Sequence, residues 1–236
     1  MRKNELVGLM GPNGAGKTTL FNIVSGFISP IRGKVYLKEE EITSLSPYLI
    51  ARRGLVRTFQ DARIFDHLTV LENIEVAIPD NGDIDSKRKV FPFFKTRLVN
   101  KFIRMRAREY LELVGLSKLQ NRSARSLTFG HQRLLGIARA LACQPNILLL
   151  DEPSAGLNQD ETNALLRVIK EIHRRNITIF IIEHNIGMLI SLVERIIVLD
   201  KGRKIMEGTP EEIKKEETIL EAYFGRKNAL SKNFKS

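Results

Sequence analysis

The chain has 236 residues, 43% of them hydrophobic and 28% charged, which describes a globular protein and excludes a disordered or fibrous one. Its length suits one α/β domain, or a domain with a sizeable insertion, and allows a real core. The lone Cys143 excludes an internal disulfide, and no apolar run approaches the ~18 residues of a membrane span. The polar start, Met1 to Glu5, does not read as a signal peptide, and the lone cysteine suits the cytoplasm. The formal net charge of +11 fits either an anionic partner surface or simply many solvated lysines. No nucleic-acid motif accompanies the basic stretches, so no nucleic-acid partner is expected.

Leu6 to Met10 is nearly continuous in apolar residues, as a strand buried on both faces should be. A glycine-rich turn follows, then a helix with Leu20, Phe21, Val24 and Ile28 at helical spacing. Lys34 to Leu37 reads as a more polar strand of a side sheet. Ser46 and Pro47 open a helix that stops at Gly54. From about Asp80 to Cys143 the alternation of strand and helix breaks. Asn81 to Val90 is a polar loop, and helical spacing follows at Leu98, Phe102 and Met105, then at Leu134, Ile137, Ala138 and Leu141. Cys143 reads as a small hydrophobe in that helix.

Core strands resume at Ile147 to Leu150, Ile177 to Ile182 and Ile196 to Leu199. Asn158 with Glu161 forms a capping box ahead of Leu165, Leu166, Ile169 and Ile172. Asp200 to Gly202 reads as a hairpin turn into Lys204 to Glu207, and Thr209, Pro210 and Glu212 start another helix. The order implies a mostly parallel sheet covered by helices.

Five motifs carry chemistry. Gly11-Pro12-Asn13-Gly14-Ala15-Gly16-Lys17-Thr18 matches G-x-x-x-x-G-K-[ST] between a buried strand and a helix. Glycines let the backbone N–H groups converge on a phosphate, and the helix adds its positive end. Lys17 is expected on the β- and γ-phosphates of ATP, with the Thr18 hydroxyl on Mg2+ and Thr19 beside it. Ile147 to Leu150 runs into Asp151 and Glu152: Asp151 suits the magnesium shell, and Glu152, on the other side of the strand, suits a general base for the attacking water. Leu127-Thr-Phe-Gly-His-Gln132 precedes a helix. His184, after Glu183 and a strand, suits a γ-phosphate sensor. Gln60, in Arg57-Thr-Phe-Gln60, can bind magnesium or the attacking water and move with the helical insertion. Taken singly, the acidic pair could be two solvated acids at a strand end, His184 a structural histidine and Gln60 an ordinary polar loop residue.

In this order, Gly11 to Thr18, Gln60, Leu127 to Gln132, Asp151–Glu152, Ser154 to Asn158 and His184 resemble the ATP-binding-cassette ATPases, from about residue 5 to 225. The resemblance implies an α/β fold of the P-loop NTPase, RecA-like kind: a mostly parallel sheet, an inserted helical subdomain and a reduced antiparallel side sheet. The nucleotide-binding core would comprise 1–79 and 144–224, the helical signature subdomain 80–143 and a polar tail 225–236. It also implies a head-to-tail dimer with a second such ATPase, identical or related. Thr128 and the backbone of Gly130 would then face the γ-phosphate across the interface. Transmembrane permease subunits, and through them an external substrate-binding protein, would be partners at the cytoplasmic face of the membrane. Arg57-Thr-Phe-Gln60, Leu68-Thr-Val-Leu-Glu-Asn73, Ile182-Glu-His184, Glu207-Gly-Thr-Pro-Glu-Glu-Ile and Glu221-Ala-Tyr-Phe-Gly225 are similar to the branched-chain amino-acid importers within that family.

Two departures stand out. Histidine fills the fifth signature position, at His131, and Phe129 replaces a glycine. Only ten residues precede Gly11, none aromatic, where the family has two further strands and an aromatic stacked on adenine. The expectation is an amino-terminally shortened chain with a looser adenine grip. Two other readings stay open at this point: a soluble ATPase of the same type acting on nucleic acid or ribosomes, and a degenerate regulatory subunit. The single phosphate loop and the absence of sustained heptads weigh against the first.

Overall fold

The computed structural model describes residues 1–79 and 92–215. The Asn81 to Val90 loop, the Leu98 side chain, the Glu221 to Gly225 motif and the tail therefore lie outside the described residues.

Eight strands and eight α-helices are described. The main sheet has six strands in the order β4 (Leu55–Arg57), β5 (Ile147–Asp151), β6 (Thr178–Ile182), β1 (Leu6–Met10), β7 (Arg195–Asp200) and β8 (Arg203–Gly208). The first five run parallel, and β8 returns antiparallel after the turn at Lys201 and Gly202. A two-stranded antiparallel sheet joins β2 (Tyr36–Leu37) to β3 (Glu40–Glu41).

Alternation along each strand divides the core in two. Leu6, Met10, Leu148, Leu150, Ile179, Ile181, Ile196 and Val198 face the larger cluster. There they meet α3 (Val70–Glu75), α4 (Pro92–Leu113), α5 (Phe129–Ala142), α6 (Gln159–Arg174) and α7 (Ile186–Leu192) through residues such as Ile74, Leu111, Leu135, Ile169 and Leu189. Val7, Leu9, Leu149, Phe180 and Ile182 face the other way, onto Phe21 of α1 (Lys17–Val24) and Ile50 of α2 (Pro47–Arg52). Covering both faces is why these strands read as unbroken apolar runs. Among the described residues, no helix is long and apolar enough to cross a membrane.

The foreseen caps are present. Ser46 caps α2, and Asn158 with Glu161 forms the reciprocal box of α6. Thr209 and Glu212 do the same for α8 (Pro210–Lys215).

The structure refines the expectations at three places. β4 adds to the strands expected from the sequence; three residues are too few to show a period, but Gly54 accepts hydrogen bonds from Asn146 and Ile147 and so registers the strand beside β5. Helix α1 stops before Ile28, because Gly26 turns left-handed at φ 76° and its N–H bonds Ile23. Phe102 and Met105 lie in α4, as their helical spacing implies, but are 56% and 51% exposed; the buried face of that helix carries Ala107 and Leu111.

Glu5 and Arg195 clamp the start of β1 to β7. Arg195 Nε donates to Glu5 Oε1 at 2.7 Å and Nη2 to Oε2 at 2.9 Å. This bond outweighs the opposing effect of burial and holds the Glu5 carboxyl at about 2, against an ordinary 4.5. A depressed acid stabilises the fold above its unfolded value, and that stability is lost as pH falls through the folded value. Between about pH 5 and pH 2 the wild type is therefore expected to lose up to about 3 kcal/mol more than Glu5→Gln. Denaturant unfolding of both proteins across that range checks it, and parallel curves would remove the claim.

Candidate nucleotide site

Strand β1 delivers the chain into Gly11, and α1 receives it at Lys17. The loop between them depends on glycine. Gly14 and Gly16 have φ of 80° and 96°, a region side chains avoid. Gly11 is packed so closely that a Cβ would lie 2.3 Å from the Leu199 carbonyl oxygen. Pro12 accepts from the Ala15 N–H at 3.1 Å, and Ala15 accepts from the Gly202 N–H at 3.0 Å. The β7–β8 turn thus braces the loop from outside.

Lys17 is only 5% exposed. Its ammonium donates to the Gly11 and Pro12 carbonyls at 2.6 and 3.1 Å. Burial lowers its pKa, and the nearby Glu152 and Asp151 oppose that shift. Thr18 and Thr19 are exposed in the first turn of α1.

The acidic pair divides as its place at a strand end requires. Asp151 closes β5 and takes a hydrogen bond from Arg57 at 2.8 Å. Glu152 leaves the strand in a left-handed conformation, φ 46°. Its two oxygens are shared: Oε1 lies 2.8 Å from His184 Nε2, and Oε2 accepts from Gln60 Nε2 at 3.2 Å. Residues from three separate strand ends, β4, β5 and β6, meet at this one carboxylate.

Glu183 is buried beside it. It accepts from the Ser154 N–H and hydroxyl, each at 2.8 Å. Burial nevertheless raises its pKa, against those bonds and the N–H groups of Asn185 and His184. Arg133 of α5 donates to the carbonyls of Phe59, Gln60 and Ala155. Its guanidinium also stacks on Phe129, 5.0 Å from the ring centroid. The helix after the signature is thereby tied to the Gln60 loop and to the Ser154 to Asn158 segment of the same chain.

Lys17, Asp151, Glu152, Gln60 and His184 are brought together. Thr128 and Gly130 stand apart from them. The Thr128 hydroxyl caps α5 at the His131 N–H, and Gly130 packs on Glu161. Reasoning from sequence gave no role to Arg57, Arg133 or Glu183. The one signal was a charge inside an otherwise apolar or helical stretch.

A family profile described as "ABC transporter" matches residues 1–155. The chain is 42% identical over 229 residues to "High-affinity branched-chain amino acid transport ATP-binding protein LivG" of Salmonella typhimurium, covering 95% of this chain and 89% of that protein. Among solved structures, an ATP-binding cassette of an ABC transporter in its ADP conformation superposes with a TM-score of 0.78 at 31% identity, covering 95% of this chain and 89% of that one. A dimeric post-hydrolysis cassette bound to ADP and Pi superposes with a TM-score of 0.71 at 27% identity, covering 89% and 87%. With the loop, the paired acids and the parallel sheet in place, the chain belongs to the ABC transporter family, as one of its ATP-hydrolysing subunits.

Proposed function

We propose that this chain drives uptake of branched-chain amino acids, as a peripheral subunit on permeases at the cytoplasmic face of a membrane. The substrate rests on the 42% identity to a branched-chain amino acid transport ATP-binding protein. The meeting of Glu152, Gln60 and His184 beside Lys17 carries the mechanism.

In this reading the N–H groups from Gly11 to Thr19 and the Lys17 ammonium grip the phosphates of ATP. Pro12, Asn13 and Ala15 shape that loop. Thr18, Gln60 and Asp151 offer hydroxyl, amide and carboxylate oxygens, a hard donor set that suits magnesium. When bound, the ion neutralises charge on the β- and γ-phosphates. Glu152 takes the proton of the attacking water, and His184 both orients Glu152 and contacts the γ-phosphate. Thr128 and Gly130 act in trans, on the ATP of a second, identical or related, subunit; a dimeric cassette among the similar structures supports this. The core of 1–79 and 144–224 holds the nucleotide. The 80–143 subdomain passes the motion to the permease, and the external binding protein is engaged only through that permease.

Uptake of radiolabelled leucine, isoleucine and valine in cells lacking this chain tests the substrate. Loss of uptake, restored by the wild type but not by Lys17→Ala, is the expected result. Unimpaired uptake of all three in the deleted cells would rule the substrate out.

A further inference from the structure

We propose that Arg57 is a positioning residue that fixes the carboxylate of Asp151 for the magnesium shell, and so couples the phosphate-loop helix to that acid. The proposal rests on the reading of Asp151 given above.

Arg57 ends β4 opposite Leu149 of β5. Asp151 lies two residues beyond Leu149, on the same face of the sheet, a diagonal that a long side chain can span. The guanidinium covers it: Nη2 donates to Asp151 Oδ2 at 2.8 Å, with side chains only 5% and 6% exposed. Among the described residues, Oδ2 is the Asp151 oxygen that accepts a side-chain hydrogen bond, which leaves Oδ1 for the magnesium shell.

The other end of the fork is anchored on α1. Nη1 donates to Asn22 Oδ1 at 2.7 Å and to Ser25 Oγ at 3.2 Å. Ser25 in turn donates to the Phe21 carbonyl. The rings of Phe21, Phe27 and Phe59 surround the guanidinium at 5.6, 6.0 and 5.2 Å from its carbon. A planar fork walled by rings has little freedom, so the Asp151 rotamer is set by the position of α1. The opposite end of α1 carries Lys17 and Thr18, and Gln60 follows Arg57 by three residues. One guanidinium thus ties Asp151 to three other proposed phosphate and magnesium groups, Lys17, Thr18 and Gln60, in a single geometry.

A buried ion pair that only supported the fold would affect nucleotide binding equally with and without magnesium. A positioning role shows only when magnesium is present, because holding that ion is the role proposed for Asp151. Lysine keeps the charge beside Asp151, and hence the fold, but a single ammonium cannot hold Asp151 and the Asn22–Ser25 pair together.

The test is binding of a fluorescent ATP analogue to the full 236-residue chain, titrated with magnesium and repeated in EDTA. Arg57→Lys is expected to raise the half-saturating magnesium concentration by about 10-fold or more, as losing an outer-shell partner does, without changing binding in EDTA. Asn22→Ala, which frees the other end of the fork, is expected to shift it in the same direction. In an Asp151→Asn background, Arg57→Lys is expected to add nothing. Equal losses with and without magnesium, additive effects in the double variant, or no shift in either single variant would overturn the proposal. Wild-type chain that bound no analogue would instead reject the reading of the site as a whole.

Discussion

Glu152→Gln is expected to lower ATP turnover by roughly 10²–10⁴-fold, the usual contribution of a positioned general base, while ATP binding persists. The geometry explains the separation. Glu152 contacts His184 and Gln60, and none of the loop hydrogen bonds runs through it. Glutamine fills the same space without accepting a proton. The hydrogen bonds of the loop and of Lys17 stay in place; Lys17 loses the charge of Glu152 but keeps that of Asp151. Comparing steady-state hydrolysis with equilibrium binding of a labelled nucleotide, in the presence of permease partners, separates the two quantities. Turnover equal to the wild type would remove Glu152 from the role of base. Binding lost along with turnover would mean that it holds the loop instead.

Gly11→Ala is expected to cost about 3 kcal/mol, the upper part of the overpacking range, because the contact is with backbone and not with a flexible side chain. The added Cβ would stand 2.3 Å from the Leu199 oxygen and 2.9 Å from the Ala15 Cβ. Leu199 lies in β7 and Ala15 in the loop, so relief requires moving the sheet or the phosphate cradle. For a chain of this length the melting temperature should fall by about 6–12 °C. Gly14→Ala is the control. No heavy atom lies within 4 Å of its Cβ, but its φ of 80° is unfavourable for alanine, so it should cost only about 1–2 kcal/mol. Equal melting temperatures for the two variants would show that the Leu199 contact is not what demands glycine at position 11.

Features that act within a few residues were legible beforehand. The Asn158–Glu161 and Thr209–Glu212 caps, the Ser46–Pro47 start and the apolar runs of β1, β5 and β6 each declare themselves locally. Strand β4 did not, because its pairing is supplied by Gly54 and β5 rather than by its own three residues. Phe102 and Met105 announce the helix by their spacing but not its buried stripe, which runs through Ala107 and Leu111. In the site, the identity of Gln60, Glu152 and His184 could be read from motif order. The bond of Arg57 to Asp151 could not, since 94 residues separate them and only the sheet order makes them neighbours.

Glu152 is the residue whose backbone sits least comfortably in the site. Its φ of 46° belongs to a region where a side chain costs roughly 1–2 kcal/mol. Glycine would relax the turn after β5 but would remove the carboxylate on which His184 and Gln60 converge. With Glu152 as the proposed base, thermal robustness and enzymatic output compete for the same position. A search for hardier versions of this protein that scored melting temperature alone would be drawn to position 152, and in that reading it would select inert molecules.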